Sequence, residues 1–220
     1  MAILGIETST AVCSVGIVND DGGTKERSLI ESHIHSEKLL TLIDEVCGGS
    51  FKSLQGVAVS IGPGSFTGLR IGLSTAKGLC CGLGIPLAAV PTFQAIARCA
   101  ARKKGLHSLV ICLDAKQGEF YAASWREEAG GKEQECAVQI LAMPDVVRMI
   151  YDADLLVTDC ADAVQKADAS LQGEDVHQFC SGAMVAELGR DMLESGRGAD
   201  SASCEPLYLK DFIVRVQPKI

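Results

Sequence analysis

Two short segments carry the side chains best suited to chemistry. One is Gly62-Pro63-Gly64-Ser65-Phe66-Thr67-Gly68, which follows an apolar run at 55–61, and the other is Glu7-Thr8-Ser9-Thr10, which ends the first apolar run. The glycine loop fails three enzyme patterns on spacing. A dinucleotide fingerprint needs its third glycine at position 67, whereas it stands at 68. A P-loop needs Gly-Lys-Ser/Thr after the loop, and a hydrolase elbow needs glycines two residues either side of the serine, where Ser65 has Pro63 and Thr67. What remains is a glycine loop capping a helix, with Ser65 as N-cap and free amides that suit an anion or a docking partner. The Glu7–Thr10 segment reads either as a phosphate site, with hydroxyls and amides toward phosphate and Glu7 near a metal, or as a polar hairpin turn. Asp114 closes a similar segment, Val110-Ile-Cys-Leu-Asp114-Ala115, and is the one candidate for a catalytic aspartate.

Other reactive residues read as structural. His33 and His35 alternate, yet nothing nearby completes a metal set, so a solvent-facing or locally bonded histidine is expected. Ten cysteines at 13, 47, 80, 81, 99, 112, 136, 160, 180 and 204 include no Cys-x-x-Cys pair. Most lie in apolar stretches, where a reduced thiol acts as a small hydrophobe. Arg98, Arg102, Lys103 and Lys104 end a helix before Gly105, which favours cations complementing the helix C-terminus over a tRNA contact.

The elements that must position these residues follow from periodicity. Strands are expected at 2–8, 12–18, 27–33, 56–61 and 87–90, and helices at 36–47, over the glycine-rich stretch, and at 93–103. Phe66, Leu69, Leu73, Ala76, Cys80 and Leu83 form one helical stripe, while Gly68, Gly72 and Gly78 each cost about 1 kcal/mol against alanine in a helix. Their presence signals a neighbouring backbone at close range. In the helix at 36–47, Leu39, Ile43 and Val46 make one stripe, and Leu40, Leu42 and Cys47 spread onto other faces, which suggests a partner. A strand–acid–turn–strand pattern repeats from 3–8 to 110–115, giving an α/β chain with lobes at 1–105 and 106–220. Past Trp125 come an acidic loop from Glu127 to Glu135, two or three helices and a strand at 155–158, with no legible site chemistry.

The net charge of −8, from 28 acidic against 20 basic residues, makes a poor lone binder of tRNA or DNA, because phosphate affinity comes mainly from clustered Lys and Arg. The N-terminus enters a strand at once, without a basic leader. The longest apolar stretch, Ile71 to Val90, is broken by Lys77 and Pro86. A cytoplasmic protein with no membrane contact is the expectation.

Ser60 to Gly82 resembles, nearly residue for residue, the signature of the bacterial TsaB family, also called YeaZ. Ile3 to Thr10, His35 to Leu40, Leu113 to Tyr121 and Glu205 to Leu209 fit the same family in order, and the likeness thins between Trp125 and Ser203. The resemblance implies an actin/hexokinase/Hsp70-like (ASKHA) fold of two similar lobes with mixed sheets flanked by helices. It implies a non-catalytic scaffold for TsaD, the enzyme that transfers a threonylcarbamoyl group to an adenosine of tRNA to give N6-threonylcarbamoyladenosine. The implied partners are TsaD, as a heterodimer through the N-terminal lobe, and the ATPase TsaE, with a homodimer when alone and tRNA reached only through the complex. No cofactor is required on this view; Glu7, Thr8, Ser9, Thr10 and Asp114 are the candidates for weak ATP or ADP binding. In TsaD a His-x-x-x-His metal pair follows a similar helix; the matching positions here are Thr92 and Ile96, which implies no metal site. That counts against the rival reading as a glycoprotease-like metallopeptidase, and a second rival, a small ATP-dependent kinase, needs another phosphate loop. Candidate interface residues are Leu39, Leu40, Ile43, Gly64, Ser65, Phe66, Gly68, Arg70 and Gly72. Filling Gly72 is expected to harm the complex more than the fold.

Overall fold

The computed structural model describes residues 1–31, 34–128, 132–134 and 137–210. His33, Cys136 and the 129–131 and Glu135 parts of the expected acidic loop lie outside the described residues.

Alternating apolar residues form the first hairpin, β1 (Ile3–Glu7) with β2 (Val12–Val18), both buried throughout. β3 (Thr24–Ile30) adds an exposed antiparallel edge, and β4 (Gly56–Ser60) and β5 (Leu87–Val90) extend the sheet in parallel on the other side, giving the order β3-β2-β1-β4-β5. Helices α1 (His35–Cys47) and α2 (Phe66–Leu83) bury Leu39, Ile43, Leu73 and Ala76 against one face of this sheet. α2 stops where Gly84 takes a left-handed conformation at φ 65°.

After α3 (Thr92–Lys104) the chain starts a second sheet. β6 (Ser108–Asp114) pairs antiparallel with β7 (Glu119–Glu128), as β1 does with β2. β8 (Lys132–Gln134) and β9 (Gln139–Ala142) pair with β7. β10 (Leu156–Thr158) lies parallel to β6, as β4 does to β1, and β11 (Glu174–Asp175) follows it. The repeated hairpin-plus-parallel-strand pattern is the structural form of the sequence repeat. Helices α4 (Met143–Ile150) and α5 (Ala161–Ala167) cover the outer face of this sheet.

The last helix, α6 (Gly182–Glu194), crosses back and packs on β1, β2 and β4. With α3 it fills the space between the sheets, in a core that joins Ile3 and Val90 to Phe93, Ile96, Leu109, Trp125 and Val185. The approach is backbone to backbone. A Cβ on Gly5 would sit 2.0 Å from the Gly182 carbonyl oxygen, and one on Gly16 would sit 2.2 Å from the Ala183 nitrogen. A polar knot fixes the start of α6: Gly182 N–H donates to Ser14 Oγ at 2.9 Å, and Glu26 Oε1 accepts from Ser14 Oγ at 2.7 Å and Ser181 Oγ at 2.8 Å.

Several boundaries differ from the sequence reading, most by a single residue at an end. β3 runs three residues earlier than expected because its register opposite β2 is set by the turn at 19–23. α1 begins at His35 rather than Ser36, with no side-chain cap. Because neither neighbour of Gly5 can move without moving a helix, Gly5→Ala is expected to destabilise the protein by about 1–3 kcal/mol, an overpacking cost. Thermal and urea melts will measure it.

Candidate functional site

The glycine loop and the first hairpin turn form one packed unit. Ser65 caps α2, its Oγ accepting from the Gly68 N–H at 3.2 Å, and its own N–H donates to the Ser9 carbonyl at 2.7 Å. A Cβ on Gly64 would lie 2.3 Å from Ser9 O, one on Gly68 2.1 Å from Thr8 O, and one on Gly72 2.2 Å from Thr8 Oγ1. Thr8 Oγ1 completes the seam by donating to Gly68 O at 2.8 Å. The close neighbour announced by these glycines is therefore the chain's own β1–β2 turn. This corrects the interface expectation for Gly64, Gly68 and Gly72: their missing side chains make room inside the protein, not for a partner. Gly78, by contrast, faces open space.

The same packing decides what the turn offers. Glu7, Thr8 and Ser9 are buried. Glu7 Oε1 accepts from the Ser9 N–H at 2.6 Å and from Ser9 Oγ, while Oε2 has no partner among the described residues. Burial raises the Glu7 pKa, against the lowering effect of the hydrogen bonds from Ser9 and Ser60. Thr10 Oγ1 accepts from the Val12 N–H and donates to the Cys180 sulfur at 3.4 Å. The hydroxyls are thus turned inward.

Asp114 sits in the second sheet with partners of its own. Its Oδ1 accepts from the Lys116 N–H at 2.7 Å, its Oδ2 from Lys116 Nζ at 2.6 Å, and its N–H donates to Asp159 Oδ1 at 2.9 Å. Burial pushes its pKa up, but the Lys116 hydrogen bonds and charge, with Lys210 nearby, bring it below the usual value. The β6–β7 turn beside it holds Lys116 and Gln117 at φ 65° and 62°, and Lys210 Nζ caps the carbonyls of Ala115 and Lys116. No hydrogen bond among the described residues joins Asp114 to the Glu7 turn.

The remaining candidates divide into interior and surface. Thr92 is fully buried and exchanges hydrogen bonds with Gly62, its Oγ1 accepting from Gly62 N and its N–H donating to Gly62 O, both at 3.0 Å; Ile96 is fully buried in the core. His35 is buried, with Nε2 3.1 Å from Val12 O. Leu39 and Ile43 belong to the core, which corrects their place in the interface list, whereas Leu40 is 67% exposed. The basic cluster staples α3 to later elements. Arg98 pairs with Asp191, Arg102 with Glu187 and Lys104 with Glu174, and Lys103 donates to Gln178 O.

The segment after α6 adds residues that the sequence flagged only as a weak closing match. Leu207 N–H donates to Ile61 O at 2.7 Å, which lays Tyr208 over the start of α2. There the Arg70 guanidinium lies 3.8 Å above the Phe66 ring, its Nε donates to Tyr208 Oη at 2.9 Å, and the two rings are 5.2 Å apart. Nothing in residue spacing placed Tyr208 beside Phe66 and Arg70.

Two mixed sheets enclosing two helices, with a paired turn at the end of β1 and of β6, define an actin/hexokinase-like fold. The comparisons agree. Residues 29–197 match the family described as TsaD: tRNA N6-adenosine threonylcarbamoyltransferase. The chain is similar to the tRNA threonylcarbamoyladenosine biosynthesis protein TsaB of Escherichia coli, 32% identical over 150 residues, covering 67% of this chain and 64% of that one. It is also similar to TsaB of Buchnera aphidicola subsp. Schizaphis graminum, 30% identical over 169 residues, covering 71% and 78%. A solved structure titled YeaZ from Pseudomonas aeruginosa superposes with a TM-score of 0.81 at 23% identity, over 94% of this chain and 99% of that one. The chain belongs to the TsaD family, among its TsaB members. It spans 64% of the E. coli relative's length.

Two outcomes follow from the seam. Gly72→Leu will lower the melting temperature of the isolated chain, by the equivalent of at least about 1–3 kcal/mol. Gly78→Ala will leave it unchanged or raise it, by up to about 1 kcal/mol of helix propensity. A third concerns Glu7, whose folded pKa lies above its ordinary 4.5. The folded state then binds more protons than the unfolded one, so the Glu7 contribution is full below that value and is lost as pH rises through the folded pKa. Glu7→Gln cannot ionise, so its melting temperature will gain on the wild type between pH 4 and pH 8. A difference independent of pH would refute this.

Proposed function

We propose that this chain is the non-catalytic scaffold that pairs with a TsaD-type transferase in making N6-threonylcarbamoyladenosine on tRNA. The observation that carries this reading is the filled first turn: Thr8 and Ser9, where an ATPase of this fold would face phosphate, are buried beneath α2. The second turn is likewise occupied by Lys116 and Lys210. Neither ATP nor ADP is required on this view, which allows at most weak binding. Thr92 and Ile96, committed to the Gly62 loop and the core, favour neither the metallopeptidase nor the kinase alternative. The names of the curated relatives support the pathway, and the TsaD family match supports the partner.

The pairing surface on this reading is the outer side of α1 and α2, helices that pack side by side on the same face of the first sheet. Leu40 stands out from α1, Arg70 and Gly78 line the exposed side of α2, and Ser65 and Phe66 lie at its start. The same surface would pair two copies when the partner is absent, an isologous contact. TsaE joins the assembled pair. tRNA is held by the complex, since the net charge is −8 and the α3 cations are engaged in pairs. No helix among the described residues is long and apolar enough to cross a membrane, and the work is cytoplasmic on this view. Leu40→Asp will keep the wild-type melting temperature and abolish co-elution with the TsaD-type partner, since an unpaired charge in a desolvated interface costs several kcal/mol. Unchanged co-elution would remove α1 from the interface.

A further inference from the structure

The second sheet brings two thiols together at a place none of the functional readings uses. Cys112 lies in β6 and is fully buried; Cys160 stands just before α5 and is half-buried. β6 and β10 run parallel with Thr158 opposite Cys112, and the chain folds back after Thr158. The two Sγ atoms end 3.6 Å apart, and Cys160 Sγ also lies 3.8 Å from the Cys112 carbonyl oxygen.

The two sulfurs are not equivalent. Thr158 Oγ1 accepts from the Cys160 N–H at 3.0 Å, which leaves its hydroxyl hydrogen to donate to Cys160 Sγ at 3.1 Å. The Cys112 thiol and then Thr158, both hydrogen-bonding to this sulfur, hold the Cys160 thiol below its ordinary value against burial and the charges of Asp159 and Asp114. The same contact with Cys160, together with burial, pushes the Cys112 thiol up. One thiol is therefore the more reachable and the more readily ionised, and the other waits behind it in the core. That is the arrangement of an attacking and a resolving cysteine.

We propose that Cys112 and Cys160 are an oxidation site that closes to a reversible disulfide when a hydroperoxide reaches Cys160. The Cys160 thiolate attacks one peroxide oxygen, the O–O bond breaks, and the departing oxygen leaves as water after taking up a proton. Cys160 is now a sulfenic acid, its sulfur oxidised by two electrons while the peroxide is reduced by two. The Cys112 sulfur then attacks the Cys160 sulfur, the S–S bond forms, the S–O bond breaks, and the hydroxide leaves as water with the Cys112 proton. The sum is two thiols and one hydrogen peroxide giving one disulfide and two waters. The bridge ties the central strand of the second sheet to the start of α5 across 48 residues of sequence.

The test uses the full chain, reduced, freed of reductant and treated with hydrogen peroxide at a low molar excess. A non-reducing digest read by mass spectrometry is expected to show the Cys112 and Cys160 peptides joined within one molecule, with the link lost on adding dithiothreitol. The oxidised protein is expected to melt several degrees higher, as a closed loop constrains the unfolded chain. Cys112→Ala, which removes the resolving thiol, is expected to leave a sulfenic acid on Cys160 that dimedone traps. Cys160→Ser is expected to leave Cys112 reduced. Oxidation of other cysteines, such as the exposed Cys81, with Cys112 and Cys160 still reduced would overturn the proposal. So would Cys112 oxidising at an undiminished rate in Cys160→Ser.

Discussion

The contact on which the first sheet and its helices depend is the seam between the β1–β2 turn and the start of α2. It joins a turn to a helix through main-chain atoms, with Thr8 O and Ser9 O lying where side chains of Gly68 and Gly64 would otherwise be. Hydrogen bonds from Ser65 N–H and Thr8 Oγ1 register the two pieces. The seam holds α2 at a fixed height on the sheet, which in turn sets where Gly62 meets Thr92, where Leu207 finds Ile61, and where Phe66 and Arg70 meet Tyr208. It also accounts for the buried Glu7, since a turn pressed against a helix leaves no path for water to its carboxyl.

Two turns lie at matching ends of the two sheets, one after β1 and one after β6. Here the first turn is sealed by a helix and the second is bridged by lysines from its own neighbourhood. The solvent sides of α1 and α2 carry the exposed Leu40 and Arg70.

How much of this was legible depended on whether a residue's environment is local. Val12–Val18 and Leu87–Val90 were readable to the residue because alternation and bounding turns act within a few positions. Leu69, Leu73, Ala76 and Cys80 of the α2 stripe were readable for the same reason, whereas Leu83 at the end of the helix is exposed and Phe66 at its start half-buried. Gly68 and Gly72 announced a close neighbour but not its identity, because a missing Cβ records only that something is near. Leu39 and Leu40 are adjacent, and whether a residue belongs to the core or the surface turned on α1 lying against one sheet face only. The position of α6 was least legible, although Gly5 and Gly16 inside strands and Gly182 and Gly189 on the helix were the available signal: glycine within a strand marks close backbone approach.

The return of α6 has a consequence for how the chain is made. β1, β2 and β4 present an apolar face against which residues 182–194 pack. During synthesis that face waits until residues 182–194 have been made, and its completion is a contact between segments far apart in sequence, Gly5 against Gly182 and Ala186. A nascent chain stalled after β11 would carry both sheets without α6, an open apolar surface of the kind that chaperones hold and that aggregates when unattended.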